Sequence, residues 1–206
     1  FKKWKNSKTV FSAGSDIYLW NEDASDPINL TNLSENNFID GIEVYEDLIF
    51  IYKDKNEYIS IFDLSSLSFK EDKISLKEFG HYQNKYKAIN LRRRPNTSEI
   101  FVYLRDGEVA KFDAAQEEYE LVSLGDFNLP SERTSYIYST NTKIALTADQ
   151  KSIVFDNQTR TITSYDLIAR KKNVLKASAQ GFNDEIGNVR TFSRRLDRGT
   201  QNLLNL

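Results

Sequence analysis

Only one histidine and no cysteine occur in this 206-residue sequence, which restricts the chemistry available to it. A Ser-His-Asp triad or a histidine metal site would depend on His81 alone. His81 follows Phe79 and Gly80 in an apparent connection, and no Gly-x-Ser-x-Gly segment is present to place a nucleophile on a tight turn. The sequence therefore predicts a protein that is not an enzyme, with no catalytic residue and no cofactor.

Two acidic loops are the candidate metal sites. Residues 21–26 carry Glu22, Asp23 and Asp26, and carboxylate oxygens are the ligands that Ca²⁺ prefers. This loop lacks the spacing and the glycine of a calcium-binding loop, and so does the segment 54–57. Asn, Asp and Ser are also the residues that turns use, so we expect hairpin turns here and no metal site.

Arginines form the sharpest charge runs. One island lies just before Pro95, and a second one contains Arg190 and Arg198. Guanidinium groups bind carboxylates or phosphates in a forked geometry, although charges on strand edges also block aggregation in any sheet protein. Tyrosines near the first island could add a binding surface. The predicted partner-binding residues are Arg92, Arg93, Arg94, Tyr82, Tyr86, Arg194 and Arg195.

Charge and composition narrow the class of partner. There are 28 Lys and Arg against 30 Asp and Glu, so no overall positive field attracts nucleic acid, and we expect a protein partner. No apolar run approaches the roughly 20 residues of a membrane span, so we expect no membrane insertion. The chain begins at Phe1 and contains no methionine, so we expect a processed or partial chain.

Short apolar runs separated by turn residues indicate strands throughout the chain, and the 13 Phe and 11 Tyr suit pleated surfaces. The runs fall into four similar clusters. In each cluster the third predicted strand ends on an apolar or aromatic residue followed by Asn or Asp, and these positions are 42, 50 and 53 residues apart: Trp20-Asn21, Phe62-Asp63, Phe112-Asp113 and Tyr165-Asp166. Propeller blades repeat every ~40 to 50 residues.

The predicted fold is therefore all-β, a propeller-like array of about four antiparallel four-stranded blades in a single domain, 1–206. The blades are predicted at 7–34, 38–79, 86–127 and 135–178, with a tail at 186–206. The first cluster lacks an obvious fourth strand, and the segment 188–193 of the tail could supply it and close a ring. The alternative is that the chain is an arc of a larger ring.

The segment Ser15–Thr31 resembles the blade signature of the WD40-like, TolB-type propeller family. The resemblance rests on the pair Ile17-Tyr18 before a polar turn, and on Pro27 and Leu30-Thr31 at the end of the blade. The Gly-His and Trp-Asp pairs of true WD40 repeats are absent, and Ala24 replaces the family's turn glycine.

The resemblance implies a scaffold that presents inter-blade loops to a protein partner, in a bacterial envelope or secreted, with a cytoplasmic location still open. Two alternatives also fit it. The chain could be the propeller portion of a peptidase or hydrolase whose catalytic domain lies elsewhere, or an intracellular WD-type scaffold.

Overall fold

The computed structural model describes residues 2–5, 8–32, 38–53, 57–77, 88–104, 107–127, 142–156 and 161–176. All regular structure in these ranges is β-strand, and the strands form four antiparallel sheets of four. Each sheet uses four consecutive strands in chain order, which is the arrangement of a propeller blade. The predicted all-β fold is confirmed.

We name the four sheets blades 1 to 4. Blade 1 has β1 (Lys2–Trp4), β2 (Lys8–Ala13), β3 (Asp16–Asn21) and β4 (Ile28–Asn29). Blade 2 has β5 (Ile39–Tyr45), β6 (Leu48–Lys53), β7 (Tyr58–Asp63) and β8 (Ser68–Ser75). Blade 3 has β9 (Ala88–Arg93), β10 (Glu99–Leu104), β11 (Glu108–Asp113) and β12 (Val122–Asp126). Blade 4 has β13 (Thr142–Leu146), β14 (Lys151–Asp156), β15 (Thr161–Asp166) and β16 (Lys171–Lys176).

The chain divides into two compact units, 1–133 and 134–206, where the sequence predicted one domain. Unit 1 contains blades 1 to 3, and unit 2 contains blade 4. Among the described residues, two apolar cores hold unit 1 together. One lies between blades 1 and 2 and includes Val10, Ile17, Ile49 and Ile51.

The second core lies between blades 2 and 3 and includes Phe50, Ile61, Ile100 and Phe112. The rings of Phe50 and Phe112 lie 5.1 Å apart. Blade 4 has buried apolar side chains of its own, among them Ile144, Val154, Tyr165 and Leu167. In β6 and β10 every residue but the first is buried, so both faces of these two strands are covered.

The predicted register of the third strands is confirmed in all four blades, because β3, β7, β11 and β15 end at Asn21, Asp63, Asp113 and Asp166. The next residue closes the blade by the same backbone hydrogen bond in three of them. The amides of Leu64, Ala114 and Leu167 donate to the carbonyls of Asp47, Ser98 and Gln150, at 2.8, 2.9 and 3.1 Å.

The tail segment 188–193 lies outside the described residues, and the described residues themselves supply a fourth strand of blade 1. It is β1, which pairs with β2 from Lys2 opposite Val10 to Trp4 opposite Lys8. Blade 1 therefore begins before the predicted boundary at residue 7. The strand escaped prediction because three residues with two lysines carry almost no alternation of apolar and polar side chains.

Outer strands also differ from the sequence-based bounds. β8 begins at Ser68 and β12 begins at Val122, whereas the sequence placed these strands at 73–76 and 119–122. Both are largely exposed, so no apolar alternation marks where they begin. In the part of the chain that the structure describes, no helix is long and apolar enough to cross a membrane.

Candidate partner-binding site

The first strands of blades 1 to 3, β1, β5 and β9, lie next to one another within unit 1. Lys2, Glu43 and Arg92 occupy the same rung of these three strands. Each pairs with the third residue of the second strand in its blade, namely Val10, Phe50 and Phe101. The repeat therefore brings two cations and a carboxylate to equivalent positions. With Arg93 they form a group that we call the inner-strand charge cluster.

Glu43 is the centre of this cluster and is buried, with 4% of its surface exposed. Its Oε2 accepts a hydrogen bond from Lys2 Nζ of blade 1 at 2.7 Å and another from the backbone N–H of Arg93 of blade 3 at 2.8 Å. Its Oε1 accepts the N–H of Val44 at 3.2 Å. One carboxylate on β5 thus binds all three first strands, and one cation and two backbone amides satisfy it where burial would otherwise be costly.

A glycine permits the close approach of β5 and β9. A Cβ built on Gly41 would lie 3.5 Å from the backbone nitrogen of Leu91 and 3.7 Å from its Cγ. An alanine would therefore make ordinary van der Waals contact, whereas any longer side chain directed this way would press on the backbone of β9. Gly41 lies two residues before Glu43 on the same face of β5, so it sets the distance that the carboxylate spans.

Positive charge exceeds negative charge in the cluster. Burial lowers the pKa of Lys2, Glu43 opposes this effect, and the charges of Arg92 and Arg93 lower the pKa further. Burial also lowers the pKa of Arg92, against the attraction of Glu43 and Tyr103. Arginine keeps its proton in proteins, so the charges of Arg92 and Arg93 alone already exceed the single negative charge of Glu43.

Arg93 is the exposed member of the cluster, and its backbone is fixed by Glu43. Tyr45, half-buried at the end of β5, is close enough to interact with it electrostatically. Burial raises the pKa of Tyr45, Glu46 raises it further, and Arg93 lowers it. The phenol of Tyr45 is hydrogen-bonded to Glu46, so the exposed guanidinium of Arg93 is the group of this pair that can bind a carboxylate.

Arg94, the third predicted arginine, belongs to a different network. Its Nη1 donates to Glu99 Oε2 at 2.7 Å, and Lys111 Nζ donates to the other oxygen of Glu99. Burial opposes the ionisation of Glu99, but the hydrogen bonds from Lys111 and Arg94 outweigh it and the pKa lies below its usual value. Arg94 therefore belongs to an ion-pair network within blade 3.

The other predicted partner-binding residues, Tyr82, Tyr86, Arg194 and Arg195, lie outside the described residues, as does His81. Lys2 and Glu43 were missed by sequence reasoning. Glu43 could have been placed on the first strand of blade 2 from the sequence, because the predicted third strand ends at Asp63 and two strands precede it.

The acidic loop after β3 forms the connection to β4. The N–H of Ala24 donates to the carbonyl of Asn21 at 2.8 Å, and the indole of Trp20 donates to the carbonyl of Ala24 at 3.1 Å. Among the described residues, no three side chains of His, Cys, Asp or Glu come together as a metal site.

No protein-family model matches the chain, and no curated protein matches it. Solved structures do match. The chain is similar to a structure titled "Crystal Structure of Mitotic Checkpoint Complex", with 14% identity and a TM-score of 0.54 over 84% of this chain and 49% of that one. It is similar to the computationally designed Ika8 protein, with 10% identity and a TM-score of 0.51 over 85% and 48%.

The N-terminal domain of Nup159 also matches, with 16% identity and a TM-score of 0.50 over 86% of this chain and 47% of that one. The chain thus spans about half the length of these three structures. At these identities the likeness shows the fold and nothing further, and that fold is a β-propeller.

Proposed function

We propose that this WD40-like propeller chain is a non-enzymatic protein-binding scaffold, and that the inner-strand charge cluster binds an acidic segment of its partner. The observation that carries the proposal is the exposed Arg93, whose backbone is fixed by a buried carboxylate shared with Lys2. Because the backbone of Arg93 is already ordered, only its side chain loses conformational freedom when a carboxylate binds it.

The charge balance of the cluster supports the same ligand. An approaching carboxylate would meet a net positive charge that Glu43 only partly neutralises, in a site whose partial burial weakens screening by salt. A cationic segment would be repelled. Acidic peptide segments are therefore the class of ligand that the geometry fits best.

The resemblance of Ser15–Thr31 to TolB-type blades supports the remaining part of the proposal, which is residence in a bacterial envelope or outside the cell. Fractionation of cells that express the full-length protein tests this part separately. Recovery in the cytosol would remove it and would leave the binding proposal in place.

Affinity purification with quantitative recovery tests the binding proposal. The chain and its Arg93→Glu variant serve as baits, and Lys70→Glu is the matched control because Lys70 is an exposed cation on β8, away from the cluster. We expect Arg93→Glu to reduce partner recovery about tenfold or more, since charge reversal adds repulsion, and Lys70→Glu to leave it unchanged.

Two results would overturn the proposal. Equal recovery by both variants would mean that the cluster is not the site. Failure to capture any protein, together with measurable turnover of a substrate by the purified chain, would contradict the scaffold function itself.

A further inference from the structure

Outermost strands of the four blades differ in how well they could accept another strand. β4 has only two residues. β8 loses its register between Ser60 and Phe62 of β7, so that Lys70, Glu71 and Asp72 form a bulge of mixed charge. β12 shifts register opposite Val109 and Ala110. Bulges and mixed charges of this kind protect an edge from pairing.

β16 has no such interruption. All six of its residues pair with β15 in one continuous register, from Lys171 opposite Asp166 to Lys176 opposite Thr161. A regular edge strand directs alternate N–H and C=O groups away from its neighbour, and these groups can form a further ladder. Among the described residues of unit 2, β16 is the last strand of its sheet.

The charge of this edge has one sign. Arg170, Lys171, Lys172 and Lys176 are the charged residues of the segment 170–176, which contains no Asp or Glu. Lysines on an edge strand prevent pairing between identical copies, because each copy repels the other. The same lysines attract a strand of opposite charge, so this edge selects its partner by sign.

Exposed apolar surface accompanies the charge. Val174 is 45% exposed on the same face as the buried Thr163 that it pairs with. Lys172 lies on this face too, with Nζ 5.5 Å from the centre of the Tyr165 ring. An added strand could cover Val174 with an apolar side chain and place acidic side chains on the opposite face, beside Lys171, because side chains alternate along it.

The chain's own tail is a poor match for this edge on charge. Residues 177–206 contain Arg190, Arg194, Arg195 and Arg198 against Asp184, Glu185 and Asp197, so they carry a net charge of +1. A second copy of β16 is excluded by like charge as well. An acidic extended segment of another protein is the occupant that complements the edge.

We propose that β16 is a docking edge at which an extended acidic segment of a partner protein adds to blade 4 as a fifth strand. Backbone hydrogen bonds supply the affinity, the four cations supply selection for acidic sequences, and Val174 supplies an apolar contact. This surface lies in unit 2 and is separate from the inner-strand charge cluster, so its test does not depend on the function proposed above.

The experiment uses the full chain and fluorescently labelled eight-residue peptides that alternate valine with glutamate, followed by anisotropy. Two further versions carry N-methyl groups on all the valines or on all the glutamates. Strand addition uses the N–H groups of one peptide edge, so one N-methyl series should lose at least tenfold in affinity and the other should bind nearly as well as the parent. Binding through charge alone would treat the two series equally and would overturn the proposal.

Variants locate the site. Lys171→Gln with Lys172→Gln should weaken binding about tenfold, whereas Lys70→Gln with Lys73→Gln on the bulged β8 should not change it. Hydrogen exchange should show new protection of β16 amides when the peptide binds. Protection of these amides already present in the free chain, tighter binding of an oligonucleotide than of the peptide, or protection confined to β5 and β9 would each contradict the proposal.

Discussion

The carboxylate of Glu43 accepts the backbone N–H of Arg93 at 2.8 Å, and in this way a side chain of blade 2 takes the place of a ladder hydrogen bond on the first strand of blade 3. The same oxygen holds Lys2 of blade 1 at 2.7 Å. First strands of adjacent blades belong to different sheets and make no ladder with each other. The shared carboxylate therefore links three sheets through directional polar contacts. Apolar packing alone would not provide such contacts.

Glu43→Ala should destabilise unit 1 by about 3 kcal/mol, because it leaves a largely buried cation and an amide without their acceptor. Glu43→Gln should cost less, since an amide oxygen can still accept the N–H of Arg93. The control is Lys5→Ala, which breaks the exposed pair between Lys5 and Asp47 across the same two blades and should cost less than about 1 kcal/mol. Urea denaturation measures the stability of all three variants. Equal losses of stability for Glu43→Ala and Lys5→Ala would contradict the role of Glu43 as a link between the blades.

Aspartates at the ends of the third strands cap the turns that follow. Asp63 Oδ1 accepts the N–H of Ser65 at 2.7 Å and that of Ser66 at 3.4 Å, and the hydrogen bonds from the Ser65 hydroxyl and amide hold its pKa below the usual value. Asp63→Ala should lower stability by about 1 kcal/mol, and Asp63→Asn by less, because an amide oxygen can also cap. If thermal unfolding showed the two variants to be equally destabilised, the cap would not be the cause.

The sequence predicted the blades through these same aspartates. Asp63, Asp113 and Asp166 each follow a buried aromatic residue, and both the capping chemistry and the burial are local properties that a sequence expresses directly. Trp20 breaks the pattern, since it is 37% exposed and its indole binds the carbonyl of Ala24. The sequence therefore predicted correctly that Trp20 lies at the end of a strand, but it did not predict that its side chain is partly exposed.

The candidate site was predictable only in part. The sequence identifies Arg92 and Arg93 as part of a run of positive charge. It does not show that Arg94 belongs to another network, because Arg94 pairs with Glu99, which becomes its neighbour only when β9 pairs with β10. Glu43 lies fifty residues from Arg93, and Lys2 lies further away still. Contacts at this range follow from the stacking of blades, which no local pattern encodes.

Leu67 adopts a left-handed backbone, with φ of 53°, and its side chain is 60% exposed in the turn before β8. This conformation costs a residue with a Cβ about 1 kcal/mol, and an exposed leucine recovers little of it through packing. Leu67→Gly should therefore raise the stability by about 0.5 to 1 kcal/mol in urea denaturation. Ser66→Gly is the control, because φ of Ser66 is not positive and glycine there should destabilise. A loss of stability in both variants would mean that the leucine side chain contributes more than its strain.

Acid should weaken blade 4 through Asp149. Its carboxylate accepts hydrogen bonds from Lys151 Nζ at 2.6 Å and from the Thr147 hydroxyl at 2.5 Å, which lower its pKa from 3.8 to about 2. Because the pKa is lower in the folded chain than in the unfolded one, the contribution of Asp149 is fully present above about pH 4 to 5 and is lost as the pH falls towards 2. The urea midpoint of Asp149→Asn should therefore lie below that of the parent chain at pH 6, and the gap should narrow as the pH falls from 5 towards 2. Asp72→Asn, an exposed carboxylate on β8, is the control, and a gap between parent and Asp149→Asn that stayed constant with pH would show that the carboxylate's charge has no part in holding this turn.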